Sequence, residues 1–177
     1  DFPSILDAAE NLKDEKVRWI ILGKGRQFEW VKSEISKRKL EDSVQLLGHF
    51  PIKRMPSFFK HAQALLVTLK SDKGLSLTIP AKVQSYLVSG IPILGMLDGD
   101  GARVIKEANA GIVSPAGNGR YLAKSVMEII QMSSLQKAEL VTNAQQYAKK
   151  EFDRETLIKL LENWMMEYSK EKNLFNS

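Results

Sequence analysis

The 177-residue chain contains no cysteine. That absence excludes a disulfide framework, a thiolate metal site and a cysteine nucleophile, and it fits a reducing cytosol. Histidine is almost as scarce, with only His49 and His61. They have no ligand-like spacing, so no metal site is expected. No apolar run approaches the ~18 residues of a membrane span, and no signal peptide, internal repeat or low-complexity segment is visible. An EF-hand spacing, a Ser-His-Asp order and a paired-carboxylate arrangement are likewise missing. Charge of one sign is not concentrated either. The 26 basic and 21 acidic residues leave a net +5, and the densest basic cluster, Lys37-Arg38-Lys39, closes a helical pattern where it complements the helix dipole. A nucleic-acid partner is therefore not expected.

What is present suits one soluble domain with a sizeable core, since 44% of the residues are hydrophobic and 27% charged. The chain starts at Asp1, without methionine, directly on a helical pattern, and is expected to be a piece of a longer protein. Residues 1–12 read as a helix with Pro3 in its first turn. Residues 17–22, 44–47, 64–69, 92–96 and 111–114 read as short buried strands. Helical patterns lie between them: one after Gly25, a short one at 55–61, one opening at Pro80, and one at 102–108. From Arg120 onward the chain is all helical, over 121–132, 134–150 with Ser134 as cap, and 154–170, followed by a frayed tail at 171–177. The stripe Leu157, Leu160, Leu161, Trp164, Met165 and Tyr168 in the last helix is read as packing. Strands alternating with helices imply a Rossmann-like, doubly wound parallel sheet covered on both faces. The fold normally begins with a strand, and none precedes the first helix here.

Ligands in such sheets bind at the carboxyl ends of the strands, which singles out the following loops. Gly23-Lys24-Gly25 follows the first strand and stands either for a phosphate loop or for a tight turn needing positive φ, since the third glycine of the dinucleotide fingerprint is replaced by Phe28. Gly48-His49-Phe50 follows the second strand. His49 is either a donor to a phosphate or base or a plain loop residue, and Phe50 has a ring able to pack on a base. Lys70 to Thr78 is a polar loop leading to the helix at Pro80, a setting in which backbone N–H groups meet anions. Lys82 in that helix's first turn opposes the helix dipole unless an anion offsets it. Ser76 and Thr78 are either helix caps or ligands, and Asp98 or Asp100 either caps the next helix or faces a sugar hydroxyl.

The run Pro80-Ala-Lys-Val-Gln-Ser-Tyr-Leu-Val-Ser-Gly-Ile-Pro-Ile93 resembles the P-S-K-x-x-E-Y-x-x-x-G-x-P-I run of family 4 glycosyltransferases (glycosyl transferases group 1). Leu47-Gly48, Met55-Pro56, Ala64 to Leu69, Ala110 to Val113 and Tyr147 to Phe152 follow in the family's order. The resemblance implies the C-terminal, nucleotide-sugar-binding half of a GT-B fold, acting in a retaining sugar transfer without a further cofactor. It implies a UDP- or GDP-sugar donor, an absent N-terminal acceptor-binding domain, and a cytoplasmic setting, at the inner membrane face through that absent domain. It implies that Gly23 to Gly25 lie near the nucleotide, that His49, Phe50 and Met55 surround the base, and that the N–H groups of Leu77, Thr78 and Ile79 receive the diphosphate. The family's glutamate pair would stand at Leu77 and Ser85, and its loss weakens the expected grip on the ribose, for which Gln84 or Asp98 are substitutes. Hexosyl transfer in cell-surface polysaccharide or glycoconjugate synthesis is the expected function, with the isolated chain inactive. A glycosyltransferase-like interaction module without catalysis is the alternative.

Overall fold

Short parallel strands alternate with helices, as the periodicity predicts, and the computed structural model describes this over residues 1–174, with side chains through Ser169. The order is α1 (Phe2–Asn11), β1 (Trp19–Leu22), α2 (Phe28–Lys37), β2 (Val44–Gly48), a 3-10 turn (Ile52–Arg54), α3 (Met55–Phe59), β3 (Leu65–Thr68) and α4 (Lys73–Ser76). It continues with α5 (Ala81–Ser89), β4 (Ile93–Met96), α6 (Gly99–Glu107), β5 (Gly111–Ser114), α7 (Gly119–Gln131), α8 (Ser134–Glu151) and α9 (Arg154–Leu174).

Strand β4 shows why the strands read as unbroken apolar runs. Ile93 faces a cluster with Val83 and Leu87 of α5, Ile105 of α6 and Ala144 of α8. Its neighbour Leu94 faces the opposite cluster, with Leu6 of α1 and Leu122, Val126 and Ile129 of α7. Successive residues point to opposite faces, so a strand covered by helices on both sides must be apolar throughout.

The expected continuous sheet is divided. β1 pairs with β2, and β3, β4 and β5 form a second parallel group, with no ladder between β1 and β3. One apolar cluster spans the division, since Trp19 and Val44 of the first group share it with Leu94 and Met96 of the second. Helix α1 supplies Ile5, Leu6, Ala8 and Ala9 to that cluster. The β1–β2 register is also irregular. Ile21 pairs with Leu46 but Leu22 pairs with Gly48, so Leu47 is an extra residue. Beside this core, Arg38 at the end of α2 reaches Asp7 at 2.6 Å and Glu10 at 3.3 Å, joining α2 to α1.

Several local expectations need correction. The polar loop at residues 70–78 contains the helical turn α4, because Asp72 Oδ1 accepts from the N–H groups of Gly74 (2.8 Å) and Leu75 (3.0 Å). Helix α6 starts at Gly99 rather than at Ala102. The cap of α8 is Ser133, not Ser134. Ser133 Oγ accepts from the Gln136 N–H at 3.2 Å while Gln136 Oε1 accepts from the Ser133 N–H at 2.9 Å, a reciprocal capping box. Ser133→Ala is expected to cost ~0.5–2 kcal/mol in chemical denaturation. An unchanged midpoint would mean that packing alone holds the start of α8.

The apolar stripe of α9 does not pack as expected. Trp164 is 58% exposed and Met165 63%. The helix runs beyond the two core clusters, neither of which includes a residue of it. The expected frayed tail is helical as far as Leu174, and the rest of it lies outside the described residues.

Candidate functional site

The carboxyl ends of β1, β2 and β3 bring the predicted loops to one edge. After β1, the Gly23 N–H donates to the Gly48 carbonyl at 2.6 Å, which ties the first loop to the second. Gly23 (φ +128) and Gly48 (φ +73) occupy backbone conformations that disfavour side chains. The tight-turn reading of Gly23 is therefore realised, and it leaves the ligand reading intact, because nothing lies within 4 Å of the open side of Gly23 or Gly25. Lys24 and Gly25 are exposed.

After β2, His49 is exposed while Phe50 is half-buried, its ring edge-on to Phe58 at 4.8 Å. Met55, also half-buried, opens α3. Phe59 at the end of α3 stands edge-on to Tyr86 of α5 at 5.7 Å. Burial raises the Tyr86 phenol above its usual pKa. The loop after β2 is thus braced through α3 onto α5 by aromatic contacts, each worth ~0.5–1.5 kcal/mol beyond area burial.

The segment between β3 and α5 departs most from expectation. Ser76 and Thr78 do not cap α5. Their hydroxyls donate to the carbonyls of Lys73 and Leu75, both at 2.8 Å, and so close α4. Pro80 holds the N-cap position of α5 and offers no side-chain acceptor. The Leu77 N–H is bonded to the Gly74 carbonyl (3.3 Å) and the Thr78 N–H to the Leu75 carbonyl (3.1 Å). Of the three N–H groups expected to be available, only that of Ile79 is free of a partner among the described residues. Those of Ala81 and Lys82, in the first turn of α5, join it.

Two cations flank this segment, Lys70 just past β3 and Lys82 in the first turn of α5. The Asp1 amino group donates to Thr68 Oγ1 at the end of β3, at 3.2 Å. Lys70 and Lys82 both act electrostatically on that position. Both lysines therefore bear on one point beside the end of β3. Neither forms an ion pair among the described residues, and both are exposed. Lys70 was not singled out from the sequence. Its position just past an apolar strand, ahead of the anion-type loop, was the available signal.

Other predicted residues are placed less favourably. Asp98 holds the N-cap position of α6, but its side chain makes no cap hydrogen bond there. Its Oδ1 accepts from the Ala116 N–H at 3.2 Å and pins the end of β4 to the segment after β5. Ser85 Oγ donates to the Ala81 carbonyl at 3.2 Å within α5, although its lone pairs can still accept. Leu77 is 78% exposed and presents an apolar surface there. One groove lies beside Asp7, Glu10 and Arg120, and a second is lined by Asp98, Gly99, Arg103 and Ser114 where β4 and β5 end. Among the described residues no cluster could hold a metal, and no helix is long and apolar enough to cross a membrane.

The Anabaena protein Alr3699/HepE, solved in complex with UDP and glucose, superimposes with a TM-score of 0.78 at 17% identity, covering 93% of this chain and 44% of that one. A glycosyltransferase from Rickettsia africae gives a TM-score of 0.79 at 14% identity, covering 92% of this chain and 43% of that one. The C-terminal domain of the group 1 glycosyl transferase LpcC from Francisella tularensis gives 0.67 at 9% identity, covering 85% of this chain and 78% of that one. The chain thus spans less than half the length of the first two, and these similarities establish a shared GT-B fold. No curated protein sequence matches. The family model for glycosyl transferases group 1 matches residues 2–151. The chain belongs to the glycosyl transferases group 1 family.

Proposed function

We propose that this domain binds the nucleoside diphosphate of a sugar donor at the carboxyl edge of its sheet, as the C-terminal half of a retaining glycosyltransferase. The observations that carry the reading are that Lys70 and Lys82 both bear on the end of β3 and that, among the described residues, the N–H groups of Ile79, Ala81 and Lys82 at the start of α5 are unpaired. A diphosphate needs such a set. Fixed donors and cations stabilise the negative charge that develops on the leaving group as the sugar departs. The linked loops at Gly23 and Gly48 then lie toward the nucleoside, with Lys24, His49, Phe50 and Met55 around the base. UDP is the nucleotide we favour, because Alr3699/HepE was crystallised with it. The LpcC fragment, a C-terminal domain by its own description, supports the assignment to that half.

The acceptor site, and any contact with a membrane face, belong in this reading to a further domain of the same polypeptide. Cell-surface polysaccharide or glycoconjugate assembly is the setting we infer. The chain alone then binds without transferring sugar. Calorimetry of the full-length polypeptide with UDP, GDP and their sugars tests this directly. Lys82→Ala is expected to weaken UDP binding by ~1–3 kcal/mol, and Lys70→Ala by a similar amount. Wild-type affinity in both variants, or no binding at millimolar nucleotide, would sink the proposal.

A second reading, an interaction module without catalysis, has one specific observation in its favour. Leu77 and the Ser85 hydroxyl stand where the family resemblance expects carboxylates, and neither replaces their charge. Nucleotide binding without any sugar transfer by the full-length protein would select it.

A further inference from the structure

Basic residues are spread thinly along the sequence, but the fold sorts them. Residues 43–97 hold six cations against a single carboxylate, Asp72, and the rest of the chain is balanced in charge. Five of the six follow the carboxyl ends of strands or open the next helix. Lys53 and Arg54 belong to the 3-10 turn after the β2 loop, Lys70 and Lys73 come after β3, and Lys82 lies in the first turn of α5. Lys24 and Arg26, in the loop after β1, join them at the same end of the sheet.

All these cations are exposed, and none forms an ion pair among the described residues. The ion pairs lie instead at α1 and α2, on α6 and at the end of α8. Asp72 is spent on its own turn, where its Oδ1 accepts from the N–H groups of Gly74 and Leu75. Glu29, in the first turn of α2, pairs with neither Lys24 nor Arg26. The loops at the opposite ends of the strands mix both signs. Asp14 and Glu15 stand among Lys13, Lys16 and Arg18 before β1, and Glu41 and Asp42 follow Lys39 before β2.

Unpaired like charges gathered on one edge repel one another and contribute nothing to the fold. A bound diphosphate needs only the nearest of them. The remainder still act at a distance, because exposed charges are felt over a Debye length, ~10 Å at 0.1 M salt. A surface lined by one sign of charge raises the association rate of an oppositely charged ligand by ~10–10³-fold.

We propose that the free cations of this edge form an attracting field that speeds the arrival of an anionic ligand, a nucleoside diphosphate sugar. Arg26, Lys53, Arg54 and Lys73 act on the rate of association, whereas Lys70 and Lys82 act on the bound state. The identity of the ligand rests on the nucleotide reading above, but the field does not.

The full-length protein tests the two parts separately. An anionic nitroxide cosolute should relax the amide protons of Arg26, Arg54 and Lys73 more strongly than its cationic analogue, and the two should act about equally at Asp14 and Glu41. Combining Lys53→Gln, Arg54→Gln and Lys73→Gln should remove most of that difference. In stopped-flow mixing with a fluorescent UDP, the triple variant should associate about three- to tenfold more slowly than wild type at ~0.01 M salt, where charges reach ~30 Å. The two rates should converge at ~1 M salt, with the dissociation rate of the triple variant unchanged throughout. Lys82→Ala should instead raise the dissociation rate. Equal relaxation by the two nitroxides, a wild-type association rate insensitive to salt, or a triple variant altered only in dissociation would each overturn the proposal. An asymmetric field on a protein that does not bind UDP would overturn the nucleotide reading, and the steering of a nucleotide with it. Tight UDP binding with no asymmetry would overturn the field alone.

Discussion

Leu6→Ala is expected to lower the unfolding free energy by ~2–5 kcal/mol. Leu6 is fully buried in α1, within the cluster shared by both strand groups. Most core leucines are backed by a continuous backbone ladder beneath them, but here no ladder runs between β1 and β3. Side-chain packing from α1 and α7 must therefore hold the two groups in register. A cavity at Leu6 should loosen that junction as well as remove contact area. Urea denaturation followed by tryptophan fluorescence, to which Trp19 in β1 contributes, should show an earlier midpoint than far-UV circular dichroism. Coincident midpoints with a loss below ~1 kcal/mol would refute this account of the junction.

Gly99→Ala is the second large effect. Gly99 has φ +71, and an added Cβ would run into the carbonyl of Ser76. The left-handed backbone alone costs ~1–2 kcal/mol for a residue with a side chain, and the overlap adds a further ~1–3 kcal/mol unless the backbone moves. The backbone most able to move is the segment 76–80, which carries the free Ile79 N–H and leads into α5. The substitution should therefore lower the melting temperature and weaken UDP binding together. Gly25→Ala supplies the comparison, because Gly25 has no positive φ and nothing within 4 Å of an added Cβ. Loss of stability with unchanged UDP affinity in Gly99→Ala would separate the segment from the ligand.

The alternation of strands and helices was legible because each buried strand and each amphipathic helix carries its own period. Ile93-Leu94 must be apolar on both sides, and it reads so. Helix ends were less accessible. Whether Ser133 or Ser134 caps α8 depends on which hydroxyl meets the Gln136 N–H, a difference of one residue in backbone geometry. Gly99-Asp100-Gly101 reads as a turn because glycine disfavours helix, yet the close approach of Ser76 favours glycine there.

At the candidate site, two of the three N–H groups expected to receive a diphosphate, those of Leu77 and Thr78, are already bonded within the chain. Asp72 diverts the chain into α4, and that turn consumes the N–H groups of Leu77 and Thr78. Nothing in a linear reading weighs one aspartate's cap against a ligand several residues on. Lys70 escaped notice for a related reason, since its relation to Lys82 exists only once β3 and α5 lie side by side. The stripe at Trp164 shows the converse error, because periodicity reveals that a helix has an apolar face without revealing what covers it.

The extra residue at Leu47 makes the second loop a matter of parity. Residues along a strand point alternately to opposite sides, so an odd insertion exchanges the sides of everything that follows. His49 and Phe50 occupy their present places because Leu22 meets Gly48 instead of Leu47. Removing one residue from β2 would leave its composition nearly intact and exchange the exposed imidazole for the half-buried ring. A length polymorphism at this point could thus alter what the edge recognises, with no change in the residues that do the recognising.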